Sequence, residues 1–229
     1  MALDDASSAP CTLVLASASP ARLDTLLAAG IEATVRVSEV DEDAVLSAAA
    51  LSSEHSFGPV DQVLTLARAK AEDVAAAIQQ EQDTPPAIAP DFVIGCDSLL
   101  ELDGAIMGKP LVPELARERW KLMRGNSGLL HTGHWLVDMR SSSGKVIGEG
   151  AVSTARVHFA DLTDAEIDAY LATGEPLRVA GGFTIDGFGG PYISRIEGDH
   201  HGVVGLSLPV LRMLLARRRV GIHELWSLS

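Results

Sequence analysis

TLVLASASPARLDTLLAAGIEATVRVS, residues 12–38, reads as a strand, a helix and a second strand in direct succession. TLVLAS (12–17) is a short apolar run suited to a buried strand. Ser19-Pro20 then opens a helix, with a hydroxyl residue at the cap and proline at the first helical position. Leu23, Leu26 and Leu27 fall on one helical face, and Gly30 closes the helix as its C-terminal glycine. IEATVRVS (31–38) alternates apolar and polar residues as a half-buried strand does. This order belongs to α/β architecture.

Outward from that unit, Val60 to Gln80 is helical, with Val63, Leu66, Ala67, Ala71, Val74 and Ile78 on one side. Residues 44–59 show no periodicity and read as a mobile insertion. QDTPPAIAP (82–90) is proline-rich and reads as a linker. DFVIGCDSLLEL follows, then the turn signal Asp103-Gly104 and AIMGKP, which together predict a hairpin. Pro113 starts a helix that ends near Gly125. HTGHWLVDMR and KVIGEGAVSTARVHF flank SSSG as a second hairpin, Thr163 to Thr173 is helical, and a last helix runs from about Leu208 to Arg219. Hairpins beside a strand–helix–strand unit predict a mixed, twisted sheet flanked by helices. Residues 1–10 read as a flexible tail and 11–229 as one domain.

The chain has 229 residues, 18 Lys+Arg against 31 Asp+Glu, and a net charge of −13. That excess opposes binding to nucleic acid or anionic membranes, both of which rest on a surplus of Lys and Arg. Few aromatic residues and high acidity accompany disorder in other chains, but a hydrophobic fraction of 47% argues for a folded core. Cys11 and Cys96 stand far apart and form no Cys-x-x-Cys. The acidic N-terminus is unlike a secretory signal, and no uncharged apolar run approaches the roughly 18 residues of a spanning helix. A cytoplasmic location is expected.

The N-terminus of the helix at Pro20 follows a buried strand and offers free N–H groups and a positive dipole end to phosphate. Ser17 and Ser19 add hydroxyls there, and Arg22 adds a guanidinium fork. Alternatively, the segment is an ordinary cap with a solvated arginine. Gly104 to Gly108 is one residue short of a Walker A loop, and Pro110 stands where a magnesium-binding hydroxyl is needed, yet Lys109 can still meet phosphate as a point charge. Asp97, near the end of VIGCD, can ligate Mg²⁺, act as general base or form a turn. His131 and His134 point to opposite faces of a strand, and His200-His201 lack a partnered motif, so zinc is not expected. Arg217-Arg218-Arg219 reads as a solvated helix end.

Taken in order, LASASPARLDTLL (15–27), SEVDED (38–43), LARAKA (66–71), IGCDS with GKP, EIDAYLATGEPLRVAGGFTIDGFGG (166–190) and IEGDHHGVVGLSL (196–208) resemble the Maf family of nucleotide pyrophosphatases, also called septum formation inhibitor proteins. The resemblance implies an α/β fold with two lobes around a cleft, commonly a homodimer. It implies hydrolysis of nucleoside triphosphates between the α and β phosphates, dependent on a divalent cation (Mg²⁺ or Mn²⁺), and a role in clearing non-standard nucleotides. The different-class alternative is a nucleotide-binding regulator of septation with little or no catalysis.

By position, Asp97 matches the family's proton acceptor, and Asp41, together with Asp97, the carboxylates that hold the metal. Lys70 and Lys109 match two phosphate-facing lysines, and Arg22 the second arginine of S-P-R-R. Ala21 stands in place of the first arginine, Ser98 in place of a threonine, and Asp186 in place of a glutamine. These three departures bear on base choice. A carboxylate at 186 accepts but cannot donate hydrogen bonds, which suits the N1–H and 2-amino group of guanine.

Overall fold

The computed structural model describes residues 10–82, 90–141 and 147–227. Most of the N-terminal tail, the centre of the proline-rich segment and the SSSG turn lie outside those residues. Seven strands form one mixed sheet flanked by helices: β1 (Leu13–Ala16), β2 (Ala33–Val35), β3 (Phe92–Leu102), β4 (Ala105–Met107), β5 (Ser127–Asp138), β6 (Ile147–Phe159) and β7 (Ile193–Glu197). The order is β2-β1-β3-β5-β6-β7, with β4 paired to β3. β1 is parallel to β2 and β3, whereas β3, β5, β6 and β7 are joined antiparallel. The strand–helix–strand unit and the hairpins thus meet in one sheet.

The helices are α1 (Pro20–Ala28), α2 (Glu42–Ser52), α3 (Pro59–Gln82), α4 (Pro113–Met123), α5 (Asp164–Ala172), α6 (His200–Val204) and α7 (Leu208–Arg217). α2 occupies the segment expected to lack regular structure. It has no buried residue, so it carries no apolar stripe; Asp41 at its cap and a run of alanines support it instead. The strand expected over 31–38 is shortened to Ala33–Val35. β7 and α6 lie between Thr173 and Leu208, where the sequence pattern predicts no element.

Besides the apolar region of Val14, Val74, Val93 and Val137 under α3, strands β3, β5 and β6 run through two others. One gathers Leu13, Leu15, Ile94, Cys96 and Leu136 under α1 and α7. The other gathers Leu100, Leu130, Ala155, Val157 and Phe159 under α4 and α5, around fully buried Trp120. Between them the strands turn polar, with buried His131, Thr132, His134 and Ser153 beside Asp97 and Ser98. A buried polar seam of this kind persists only where its groups find partners.

α3 crosses the opposite face of the sheet over Gly95 and Gly133. A Cβ on Gly95 would stand 2.2 Å from the Ala67 carbonyl oxygen, and one on Gly133 would stand 2.3 Å from that of Val63. Glycine is needed at both positions because helix backbone, rather than a movable side chain, occupies the space.

Candidate active site

β1 ends at Ala16, opposite Gly95 on β3, and β4 begins to pair only at Leu100. Among the described residues, no strand covers that edge of β3 between them. The result is a notch at the carboxyl end of β1, where α/β sheets commonly hold ligands. Side chains alternate along β3, so Asp97 shares the α3 face with Gly95, while Ser98 faces α1 and α6.

Arg22 fills the notch from α1. Its Nε donates to the Gly205 carbonyl at 2.8 Å, Nη1 to Ser17 Oγ and the Cys96 carbonyl at 2.8 Å each, and Nη2 to Ser98 Oγ at 3.1 Å. The line continues from Ser98 to Thr132 Oγ1 at 2.9 Å and from Thr132 to the Gly202 carbonyl at 2.7 Å. Of the five N–H groups a guanidinium carries, these bonds engage four. Arg22 is therefore a positive charge fixed to four parts of the chain, with one donor left for a ligand.

On the α3 face, Lys70 Nζ lies 2.6 Å from Asp97 Oδ1 and 2.7 Å from Glu42 Oε1. The side chains of Lys70 and Asp97 are 13% and 14% exposed, whereas that of Glu42 is 50% exposed. Burial pushes the Asp97 carboxyl above the usual carboxylate range, while Lys70 and Arg22 pull it back down. Neighbouring Cys96 is wholly buried, and that burial raises its thiol to about 11, so it remains protonated and unreactive at neutral pH.

The structure brings together Asp97 and Lys70, and, across the sheet, Arg22, Ser17 and Ser98. Asp41 lies one residue from this group, but its exposed side chain accepts from the Ala44 N–H and caps α2. Glu42, within the same acidic turn, is the carboxylate that reaches Lys70. Ser19 caps α1 without a side-chain hydrogen bond, and Ala21 is half-buried on the first turn beside Arg22. Lys109 is exposed and, among the described residues, forms no ion pair; it follows β4 at the end nearest the notch. Asp186 is exposed on a loop and, among the described residues, forms no hydrogen bond or ion pair with Asp97 or Lys70.

Glu175 holds that loop. Its carboxylate accepts from Tyr170 Oη, Thr184 Oγ1 and the Phe188 and Gly189 N–H groups. Burial opposes ionisation, but these donors outweigh it and keep the carboxyl below its ordinary range. The preceding turn lies against β4's exit, since a Cβ on Gly182 would sit 3.4 Å from Pro110. Sequence reading missed Glu175, because its donors converge only after the loop folds back.

His134 supports the seam from below, its Nε2 accepting the Ser207 N–H at 2.7 Å. Burial and the nearby Arg22 charge hold its pKa down at about 4, although Asp199 opposes them. The unfolded chain takes up this proton near pH 6.5 and the native chain does not until about 4. Stability therefore falls as pH drops through that window, by roughly 3 kcal/mol. Urea denaturation at pH 7 and 4.5 should show this loss and His134→Gln should remove most of it; an unchanged pH slope in the variant would contradict the assignment.

Among the described residues, no helix is long and apolar enough to cross a membrane. The family model described as Maf-like protein matches residues 12–218. The protein named nucleoside triphosphate pyrophosphatase from Leifsonia xyli subsp. xyli is 52% identical over 216 residues, covering 94% of this chain and 96% of its own length. The protein of the same name from Nocardia farcinica is 53% identical over 216 residues, with the same coverage of each chain. That from Mycobacterium marinum is 46% identical over 217 residues, covering 94% and 96%. With a family model matching residues 12–218 and relatives of 46–53% identity aligned over nearly its whole length, the chain belongs to the Maf family.

Proposed function

We propose that this chain hydrolyses nucleoside triphosphates between the α and β phosphates, releasing a nucleoside monophosphate and pyrophosphate, with residues 11–229 acting as one catalytic unit. The observation that carries the reading is the largely buried Asp97–Lys70 pair, joined by Glu42, next to the fixed charge of Arg22. The names of the relatives support it. A regulator without catalysis is not favoured, because nucleotide sensing alone gives no use for a carboxylate held ready in a polar notch.

The two carboxylates of Glu42 and Asp97 converge on one ammonium, and each keeps an oxygen beyond the one that meets Lys70. Such hard oxygen donors fit Mg²⁺ or Mn²⁺, and Glu42 and Asp97 would hold the ion, with Asp41 supporting Glu42 through the cap. A bound divalent cation neutralises phosphate charge and polarises a phosphoryl oxygen. Asp97 accepts a proton from the attacking water. Lys70, Lys109 and the remaining Arg22 donor meet charge on the phosphates, and Ser17 and Ser19 frame the helix N-terminus beside them. Ala21, Ser98 and Asp186 shape the choice of base, with Asp186 favouring guanine. A cytoplasmic location and a homodimer belong to the same proposal.

Chromatographic product analysis tests the reaction. Incubation with Mg²⁺ and a panel of triphosphates should yield monophosphate and pyrophosphate, fastest with guanine nucleotides. Release of inorganic phosphate would overturn the bond assignment, and a clear preference for dTTP or UTP would overturn the role given to Asp186.

A further inference from the structure

Asp199, His200 and His201 stand where β7 turns into α6, and each offers one ligand atom within 4.8 Å of the other two. No motif of separated histidines marks this place in the sequence, because neighbouring residues on a helix diverge by about 100°. The first turn of α6 removes that difficulty. Its two imidazoles are stacked at a tilt, ring centroids 3.8 Å apart and planes 37° from parallel, which keeps one nitrogen of each within 4.8 Å of the other. The Asp199 carboxylate is locked under them as the helix cap, accepting the His201 and Gly202 N–H groups at 3.2 and 3.1 Å.

We propose that Asp199, His200 and His201 form a second divalent-metal site, for a first-row transition ion such as Zn²⁺, Co²⁺ or Ni²⁺. The donor set is two imidazoles and a carboxylate, which suits these ions and not Mg²⁺. The spacing agrees. His201 Nδ1 and Asp199 Oδ1 are 3.3 Å apart, long for a charge-assisted hydrogen bond. It matches the separation of two ligands that each stand about 2.1 Å from one ion. A metal would replace the proton between them, and exposed His200 closes on it by side-chain rotation. Outside this triad, water or a ligand group would complete the shell.

The site differs in chemistry from the Glu42–Asp97 pair, which has oxygen donors only. It also touches the notch mechanically. α6 carries the Gly202 carbonyl that accepts from Thr132, and it ends at Gly205, whose carbonyl holds Arg22.

Isothermal titration with ZnCl₂, and Co²⁺ titration followed by visible absorption, test the assignment on the whole chain. The wild type should bind one Zn²⁺ in addition to any ion held by oxygen donors, and its Co²⁺ complex should show bands of a site containing nitrogen ligands. His200→Ala and His201→Ala should each weaken this binding at least about tenfold. Glu42→Gln should leave it in place, which separates it from the site proposed for catalysis. Zn²⁺ affinity and Co²⁺ spectra unchanged in both histidine variants would overturn the proposal, as would the absence of Zn²⁺ binding in the wild type.

Discussion

Replacing Asp97 by asparagine should lower turnover about 10³-fold, within the range by which a positioned general base accelerates proton transfer. The substitution keeps the size of the side chain and an oxygen that can still accept from Lys70, now 2.6 Å away. It removes the ability to take a proton from water. Nucleotide affinity should change only a few-fold, because Arg22 keeps all four of its anchoring bonds and none of them goes to the Asp97 side chain. Pyrophosphate release measured beside equilibrium nucleotide binding separates the two quantities. A variant that turns over at nearly the wild-type rate would remove Asp97 from the chemistry. One that simply fails to bind nucleotide would reassign it to substrate holding.

Replacing Gly133 by alanine should destabilise the protein strongly, as should the same change at Gly95, because each methyl group would run into α3 backbone. The new Cβ would lie 2.3 Å from the Val63 carbonyl oxygen and 2.5 Å from its carbon, both in the backbone of α3. No side-chain rotation relieves this, so the helix must move off the sheet. Overpacking of this kind costs about 3 kcal/mol, or roughly 6–12 °C in Tm for a chain of this length. Because α3 also carries Lys70, activity should fall by more than the unfolded fraction explains. Thermal unfolding followed by circular dichroism, with activity measured well below the transition, checks both parts. A Tm within about 1 °C of wild type would show that α3 does not depend on this contact.

The fold was legible wherever burial imposed a pattern. β1, α1 and the α3 stripe follow from Leu13, Leu26, Val63 and Ala71, which the structure buries. α2 escaped for the converse reason: a helix with no buried residue leaves no apolar period to read. The narrowing of β2 reflects pairing limited to Ala33–Val35 against β1. In the site, Asp97 and Lys70 were legible through family resemblance. Their contact was not, since it depends on Gly95 and Gly133 letting α3 approach. The acidic turn at 38–43 offered several carboxylates of equal appearance, and only the cap geometry distinguishes Asp41 from Glu42. Composition was the least informative level. A net charge of −13 describes the outer surface, while the notch is organised around one half-buried arginine and one lysine.

The Arg22–Gly205 bond closes a loop of 183 residues. Contacts so distant along the chain are among the slowest to form, because the entropy of closing the loop is lost before the contact rewards it. The other partners of Arg22 lie on β3 and just beyond β1, and Lys70 reaches Asp97 only once α3 has docked. The notch is thus assembled from segments that only the folded sheet brings together. Molecules in which any of these segments has come away therefore lack the arrangement proposed for catalysis, even where much of the sheet is in place.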